Sequence, residues 1–145
     1  MRLYLDLCAI QRPLDDQTQL RVRAEAEAVL GLLALCESGA LTLVVSGVHV
    51  AENEKSPHPD RRAHVDDVIG LAGSYVDTGA AALQRAKRYE TLGIKPLDAL
   101  HLASAVEAGV TYFCTTDDKL LRRGRAADTE GTSVVSPLEL VVLLH

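Results

Sequence analysis

Tryptophan is absent from this chain of 145 residues, and aromatics of all kinds make up only 3% of it. With 48% of residues hydrophobic, a core can still form, but it must be built from Leu, Val, Ala and Ile. No uninterrupted apolar run approaches the ~20 residues that a membrane span needs. The start, Met1-Arg2-Leu3-Tyr4-Leu5-Asp6, is not a signal peptide, because Asp6 interrupts the apolar stretch at once. The three cysteines, Cys8, Cys36 and Cys114, are widely spaced and include no C-x-x-C pair, so they suggest neither a zinc ribbon nor a disulfide framework. Reduced thiols and the lack of a membrane segment lead to the expectation of a soluble cytoplasmic protein.

Excess positive charge is also missing. The formal net charge is −5, which argues against a protein that coats nucleic acid through a broad basic face. It is compatible with a carboxylate cluster offset by bound metal ions. Basic residues bunch at Arg61-Arg62 and at Arg122, Arg123 and Arg125, where solvated helix ends are the ordinary explanation.

What the chain has is a regular alternation. Leu3-Tyr4-Leu5 reads as a buried strand ending at Asp6, and Pro13 with Asp15-Asp16 as a loop. A helix is expected from Gln17 to Glu37, with Val22, Ala26, Val29, Leu30 and Leu33 on one stripe and Gly39 beyond its end. Leu41 to Val45 is a second strand, followed by helical turns carrying Val48, Val50 and Glu52. After Pro57 and Pro59, Asp60 is placed to cap a helix to Leu71. Ser74-Tyr75-Val76 makes a third strand, and Thr78 is placed to cap a helix through Leu83 to Leu92. Pro96 suits the first turn of a helix over Leu97 to Ala108. Thr111 to Thr115 is a fourth strand, and Asp117 or Asp118 starts a short helix ending near Gly124. Ser133-Val134-Val135 is a fifth strand, and Ser136-Pro137 opens a last apolar helix, Leu138 to Leu144. Continuous apolar strands alternating with helices indicate one α/β domain over residues 1–145, with a parallel sheet covered on both faces.

Sites in such folds sit beyond the carboxyl ends of the strands. Carboxylates recur there: Asp6 after the first strand, Glu52 a turn or two after the second, Asp117 after the fourth, and Asp98 in the first turn of the helix leading into the fourth. Singly, Asp98 would complement a helix dipole, Asp117 or Asp118 would cap a helix, and Glu52 would be a solvated helix residue. Asp6 is harder to explain so, since a carboxylate directly after a buried strand is costly unless it is paired or bound to metal. Together the acids would repel one another without a cation. Hard oxygen donors select Mg²⁺ or Mn²⁺ over zinc.

Four blocks carry a family resemblance: Leu3-Tyr4-Leu5-Asp6-Leu7-Cys8; Val45-Ser46 through Ala51-Glu52; Pro96-Leu97-Asp98-Ala99-Leu100-His101-Leu102-Ala103; and Thr115-Thr116-Asp117-Asp118. They resemble the PIN-domain family, many of whose members are VapC-type toxins of bacterial type II toxin–antitoxin pairs. The block around Asp98 is the most specific and the block around Glu52 the loosest. The resemblance implies a three-layer α/β/α sandwich with a central parallel five-stranded sheet of order 3-2-1-4-5. It implies an endoribonuclease dependent on Mg²⁺ or Mn²⁺, with Asp6, Glu52, Asp98 and Asp117 as the catalytic set and Asp6, Asp98 and Asp117 on the metal. It also implies homodimers and an antitoxin that blocks the site. One departure is Cys8, where the family commonly has Thr, Ser or Asn supporting the first aspartate. The other is Asp118, a second carboxylate beside Asp117.

Supporting roles fall to residues nearby. His101, three positions after Asp98, lies on the same helical side, where it would touch a metal or phosphate or serve as a packed, hydrogen-bonded histidine. Thr115 and Thr116 are placed to orient Asp117, bind phosphate or cap a helix. Glu54 is the alternative to Glu52, and Asp15-Asp16 and Asp66-Asp67 read as solvent-facing pairs. The apolar C-terminal segment docks on the sheet or forms part of a dimer or antitoxin surface. A thiol nucleophile at Cys8 lacks a Cys-His pattern. An aspartyl phosphohydrolase would want a carboxylate two residues after Asp6, where Cys8 stands. A catalytically inactive PIN-fold binding or scaffold module is the alternative from a different class.

Overall fold

The structure is a computed structural model and describes residues 1–144. Five strands form one parallel sheet: β1 (Arg2–Leu5), β2 (Thr42–Ser46), β3 (Ser74–Val76), β4 (Tyr112–Cys114) and β5 (Ser133–Val135), in the order β3-β2-β1-β4-β5. Eight α-helices connect and cover them: α1 (Leu7–Gln11), α2 (Leu20–Glu37), α3 (Gly47–Glu54), α4 (Pro59–Gly70), α5 (Ala80–Glu90), α6 (Pro96–Glu107), α7 (Asp118–Ala126) and α8 (Pro137–Leu143). Architecture and strand order are those implied by the resemblance.

Alternation along the strands divides the core in two, because successive side chains leave a strand on opposite faces. Leu3, Leu5, Leu43, Val45, Cys114 and Val135 meet Val29, Leu32 and Leu33 of α2, Val65 and Val68 of α4, and Leu140 of α8. Tyr4, Val44, Phe113 and Val134 face the other way, onto Ala82 and Ala86 of α5 and Ala99, Leu102, Ala103 and Val106 of α6. Alanine on both α5 and α6 lets these helices lie close to each other and to the sheet. Tyr4 stacks on Phe113, its partner in the β1–β4 register, with ring centroids 5.5 Å apart.

Several local expectations change. A short helix, α1, follows β1 directly and continues through a 3₁₀ turn at Arg12–Leu14, where a loop was expected. Helix α2 begins at Leu20 rather than Gln17. Its inner face uses Leu32 and Cys36, while Leu30 is exposed. It also buries Glu25, whose Oε1 accepts from Nε and Nη2 of Arg12 at 3.1 and 2.9 Å. Asp60 is inside the first turn of α4, which His58 precedes as N-cap. Thr78 caps nothing, since Gly79 is the N-cap of α5, and its hydroxyl pairs with Ser104 at 3.0 Å. Asp15 is half-buried between Arg12 and Arg61 rather than solvent-facing. Arg61 likewise bonds across elements, to Asp15, whereas Arg123 and the exposed Arg125 lie in the last turn of α7 as expected, Arg125 also donating to the Val134 carbonyl. Helix α8 buries Pro137 and Leu140 and leaves Leu138, Val142 and Leu143 exposed. Among the described residues no helix is long and apolar enough to cross a membrane.

Candidate active site

The strand order puts β1 between β2 and β4, so the chain leaves the ends of β1 and β4 in opposite directions and opens a crevice between them. Asp6, first residue beyond β1, is 1% exposed and is the N-cap of α1. Its Oδ1 accepts from the Ala9 N–H at 2.9 Å and its Oδ2 from the Thr115 hydroxyl at 2.6 Å. Burial still dominates and pushes the carboxyl up to about 6 against those two bonds, with the charge of Asp98 adding to the rise.

Thr115 also accepts from the Asp117 N–H at 3.1 Å, so one hydroxyl ties Asp6 to the start of α7. Asp117 is the N-cap there, its Oδ1 accepting from the N–H groups of Lys119 and Leu120. Asp98, in the first turn of α6, shares a crevice with Asp117 that Lys95, Lys119 and Arg123 frame. Its carboxyl is raised by burial and then by the negative charges of Asp117 and Glu52. A second opening beside Asp117 is bordered by Cys8, Arg12, Asp15 and Thr116. Cys8 feels the same field: desolvation of its sulfur and then the charges of Asp6, Asp98, Asp117 and Glu52 push the thiol up to about 12. That disfavours the thiolate at neutral pH.

Glu52 enters from α3. Ser46 ends β2 and caps α3 in a reciprocal pair with His49, which starts the helix immediately and carries Glu52 back over the sheet. Its Oε1 lies 2.8 Å from His101 Nε2, whose ring is buried beneath it. His101 Nδ1 is 2.6 Å from the Tyr4 hydroxyl, which is 2.8 Å from Ser46 Oγ. Burial pushes the Tyr4 hydroxyl far above the usual phenol range, so it stays protonated. His49 accepts from the Ser46 N–H at Nδ1 and donates from Nε2 to the Leu5 carbonyl at 2.7 Å. Burial pushes it down to about 3, and it remains neutral.

The expected residues thus divide. Asp98 and Asp117 share one crevice, Asp6 is linked to Asp117 through Thr115, and Glu52 is held on His101 of α6, near enough for its charge to act on Asp98. Asp118 is not among them: it points outward and holds Arg21 through two bonds of 2.6 and 2.9 Å. Glu54 is exposed at the end of α3. The support expected from position 8 comes from Thr115 instead. Thr116 is buried at the edge of the second opening. Tyr4, Ser46 and His49 were not singled out from the sequence. Their signal was a tyrosine in an otherwise aliphatic strand and a serine closing the next one.

Among the described residues no group of three His, Cys, Asp or Glu side chains is gathered tightly enough to hold a metal ion by itself. The donor chemistry nonetheless fits a hard divalent cation. Burial chiefly, and neighbouring negative charge after it, raises the carboxyls of Asp6 and Asp98, and a bound cation would favour their charged forms. Magnesium is commonly held by one or two carboxylates, with waters and substrate phosphate filling the rest of its shell.

Comparison with known proteins bears on the fold and the family. No curated protein sequence matches the chain significantly. Solved structures do. VapBC2 from Rickettsia felis, bound to a DNA fragment from its promoter, aligns with TM-score 0.61 and 16% identity over 94% of this chain and 98% of that one. DNA-bound VapBC from Salmonella typhimurium aligns with TM-score 0.61 and 18% identity over the same shares. PAE2754 from Pyrobaculum aerophilum gives 0.56 and 16% over 99% of this chain and 89% of that one. At these identities the likeness is one of fold. The PIN domain model matches residues 15–126, which include Glu52, Asp98 and Asp117 and leave Asp6 just outside. By that match, the chain belongs to the PIN domain family.

Proposed function

We propose that the protein is a Mg²⁺- or Mn²⁺-dependent endoribonuclease, the toxin of a type II toxin–antitoxin pair. The single observation carrying this reading is that Asp98 and Asp117 line one crevice while Thr115 joins Asp117 to the buried Asp6. Asp6, Asp98 and Asp117 would hold the cation, and Glu52 would accept a proton from the attacking water. A divalent cation, when bound there, supplies Lewis-acid stabilisation of the charge developing on a phosphodiester. Lys95, Lys119 and Arg123 frame the acids, where they would steer and hold an RNA backbone. The family membership and the VapBC fold likeness support a toxin with an antitoxin partner. The exposed apolar residues of α8 would serve association, as a homodimer or with the antitoxin. A cytoplasmic location follows from that role.

A binding module without catalysis draws support from the looseness of the carboxylate group. One experiment separates the two readings. Purified protein is incubated with mixed-sequence single-stranded RNA and Mn²⁺, with and without EDTA, beside Asp98→Asn. We expect cleavage that EDTA and the substitution each abolish, with the circular dichroism of the variant unchanged. Cleavage by Asp98→Asn at the wild-type rate would refute the assignment.

A further inference from the structure

One line of polar contacts runs through the aliphatic core from the cap of α3, across β1 and β2, to α6. The Val48 N–H donates to Ser46 Oγ at 3.3 Å. Ser46 Oγ lies 2.8 Å from the Tyr4 hydroxyl, that hydroxyl 2.6 Å from His101 Nδ1, and His101 Nε2 2.8 Å from Glu52 Oε1. Tyr4 and Ser46 are fully buried and His101 is 1% exposed, so the line emerges at Glu52.

Hydrogen positions follow from the chemistry of the two ends. A carboxylate only accepts, so Nε2 carries the imidazole proton and donates it to Glu52. Nδ1 of a neutral ring then accepts, so Tyr4 donates to it, and Tyr4 in turn accepts from the Ser46 hydroxyl. Ser46 is left to accept from the Val48 N–H. Every donor is used once and the whole line runs one way, toward Glu52.

Packing alone does not account for it. A phenylalanine at position 4 would fill the same space against Phe113, without a hydroxyl to satisfy. The same cluster also contains the contrast. His49, ring centroid 4.8 Å from His101, closes both nitrogens on backbone groups and serves the fold alone. His101 instead ends on a carboxylate at the crevice.

We propose that Tyr4 and His101 are positioning residues for Glu52: the Tyr4 hydroxyl locks the His101 ring in its Nε2–H form, and that N–H fixes one Glu52 oxygen so that the other is presented to the reaction. This rests on the nuclease reading and on Glu52 being one of its acids. Neither residue touches substrate; both act through Glu52.

The test combines a spectroscopic and a kinetic arm. Long-range ¹⁵N–¹H spectra of the metal-free protein should show His101 as the Nε2–H tautomer, and its proton should exchange faster with water in Tyr4→Phe. In cleavage of mixed-sequence single-stranded RNA with Mn²⁺, Tyr4→Phe and His101→Gln should each lower kcat about 10–100-fold, with KM nearly unchanged. Tyr4→Phe added to Glu52→Gln should cost nothing further, because the effect passes through Glu52. Tyr4→Phe removes one oxygen, so it keeps the test open if His101→Gln does not fold. An Nδ1–H tautomer, or losses that multiply in the double variant, would overturn the proposal. A wild type that cleaves no RNA would overturn the nuclease reading and the catalytic purpose of the strut with it. The tautomer still tells whether the strut exists, so the two failures are distinguishable.

Discussion

The Thr115 hydroxyl donates to Asp6 Oδ2 at 2.6 Å while accepting from the Asp117 N–H at 3.1 Å, so a single oxygen sets the relation between the ends of β1 and β4. Thr115→Val preserves shape and removes both bonds. We expect a loss of about 1.5–3 kcal/mol in stability, the usual worth of a hydrogen bond to a charged group. Cleavage should fall about 10–100-fold, as when an outer partner of a ligand is lost. Thr115→Ser should restore most of both. Denaturant titration and single-turnover cleavage measure the pair, and a Ser variant as impaired as Val would show that the methyl group matters, not the hydroxyl.

Asp6 costs the metal-free protein stability. Its carboxyl is raised to about 6 in the fold against about 3.9 unfolded, a difference of about 3 kcal/mol. The native state binds the proton more tightly, so this group's penalty is complete above pH 6 and disappears as pH falls toward 4. Asp6→Asn can keep the Ala9 N–H bond and pair with Thr115 without carrying charge. We therefore expect metal-free Asp6→Asn to be more stable than wild type at pH 7 by up to about 3 kcal/mol, and to lose that advantage near pH 4. Mn²⁺ should stabilise wild type and leave the variant unmoved. Melting curves at the two pH values, with and without Mn²⁺, test this; a variant less stable than wild type at pH 7 would contradict it.

Legibility in the sequence depended on how local each feature is. Strand β3 and the start of α6 at Pro96 were readable because a turn residue or a proline marks them in place. Helix α1 was not: its five residues are too few for periodicity, and its cap is the same Asp6 that ends the strand. The burial of Glu25 depends on Arg12, in a different element, and could not be inferred from an apolar stripe. Strand order came from resemblance, since spacing alone does not say that β1 lies between β2 and β4. Asp6, Asp98 and Asp117 stood out because each directly follows a strand or opens a helix, whereas Glu52 lies inside α3 and was singled out through the resemblance. The line from Tyr4 to His101 was hidden because it joins residues 97 apart in the chain through the β1–α6 packing.

Asp117 lines the crevice with Asp98, whereas its neighbour Asp118 does not. Asp118 is held outward by Arg21, which lowers its carboxyl below the usual range through their hydrogen bonds. Asp118→Asn should leave both cleavage and Mn²⁺ affinity near wild type. Asp117→Asn keeps a good helix cap and so should fold, but it removes charge from the crevice shared with Asp98 and should weaken Mn²⁺ binding about 10–100-fold. Calorimetric titration of Mn²⁺ into both variants decides the matter, and the reverse ranking would move the assignment to Asp118.

Cation and proton compete for the same carboxylates. Asp6 is raised to about 6 and Asp98 is raised as well, both chiefly by burial, so in the metal-free site part of the acid set is protonated below pH 6. Binding a cation must expel those protons. At limiting Mn²⁺, cleavage should therefore fall as pH drops through 6, and raising the Mn²⁺ concentration should shift that fall to lower pH. The rate should in turn depend less on pH once the site is saturated. Initial rates measured from pH 5 to 8 at several Mn²⁺ concentrations would show the displacement. A profile whose midpoint stays fixed at every Mn²⁺ concentration would mean that the titrating group is not the one holding the cation, and would remove Asp6 from the ligand set.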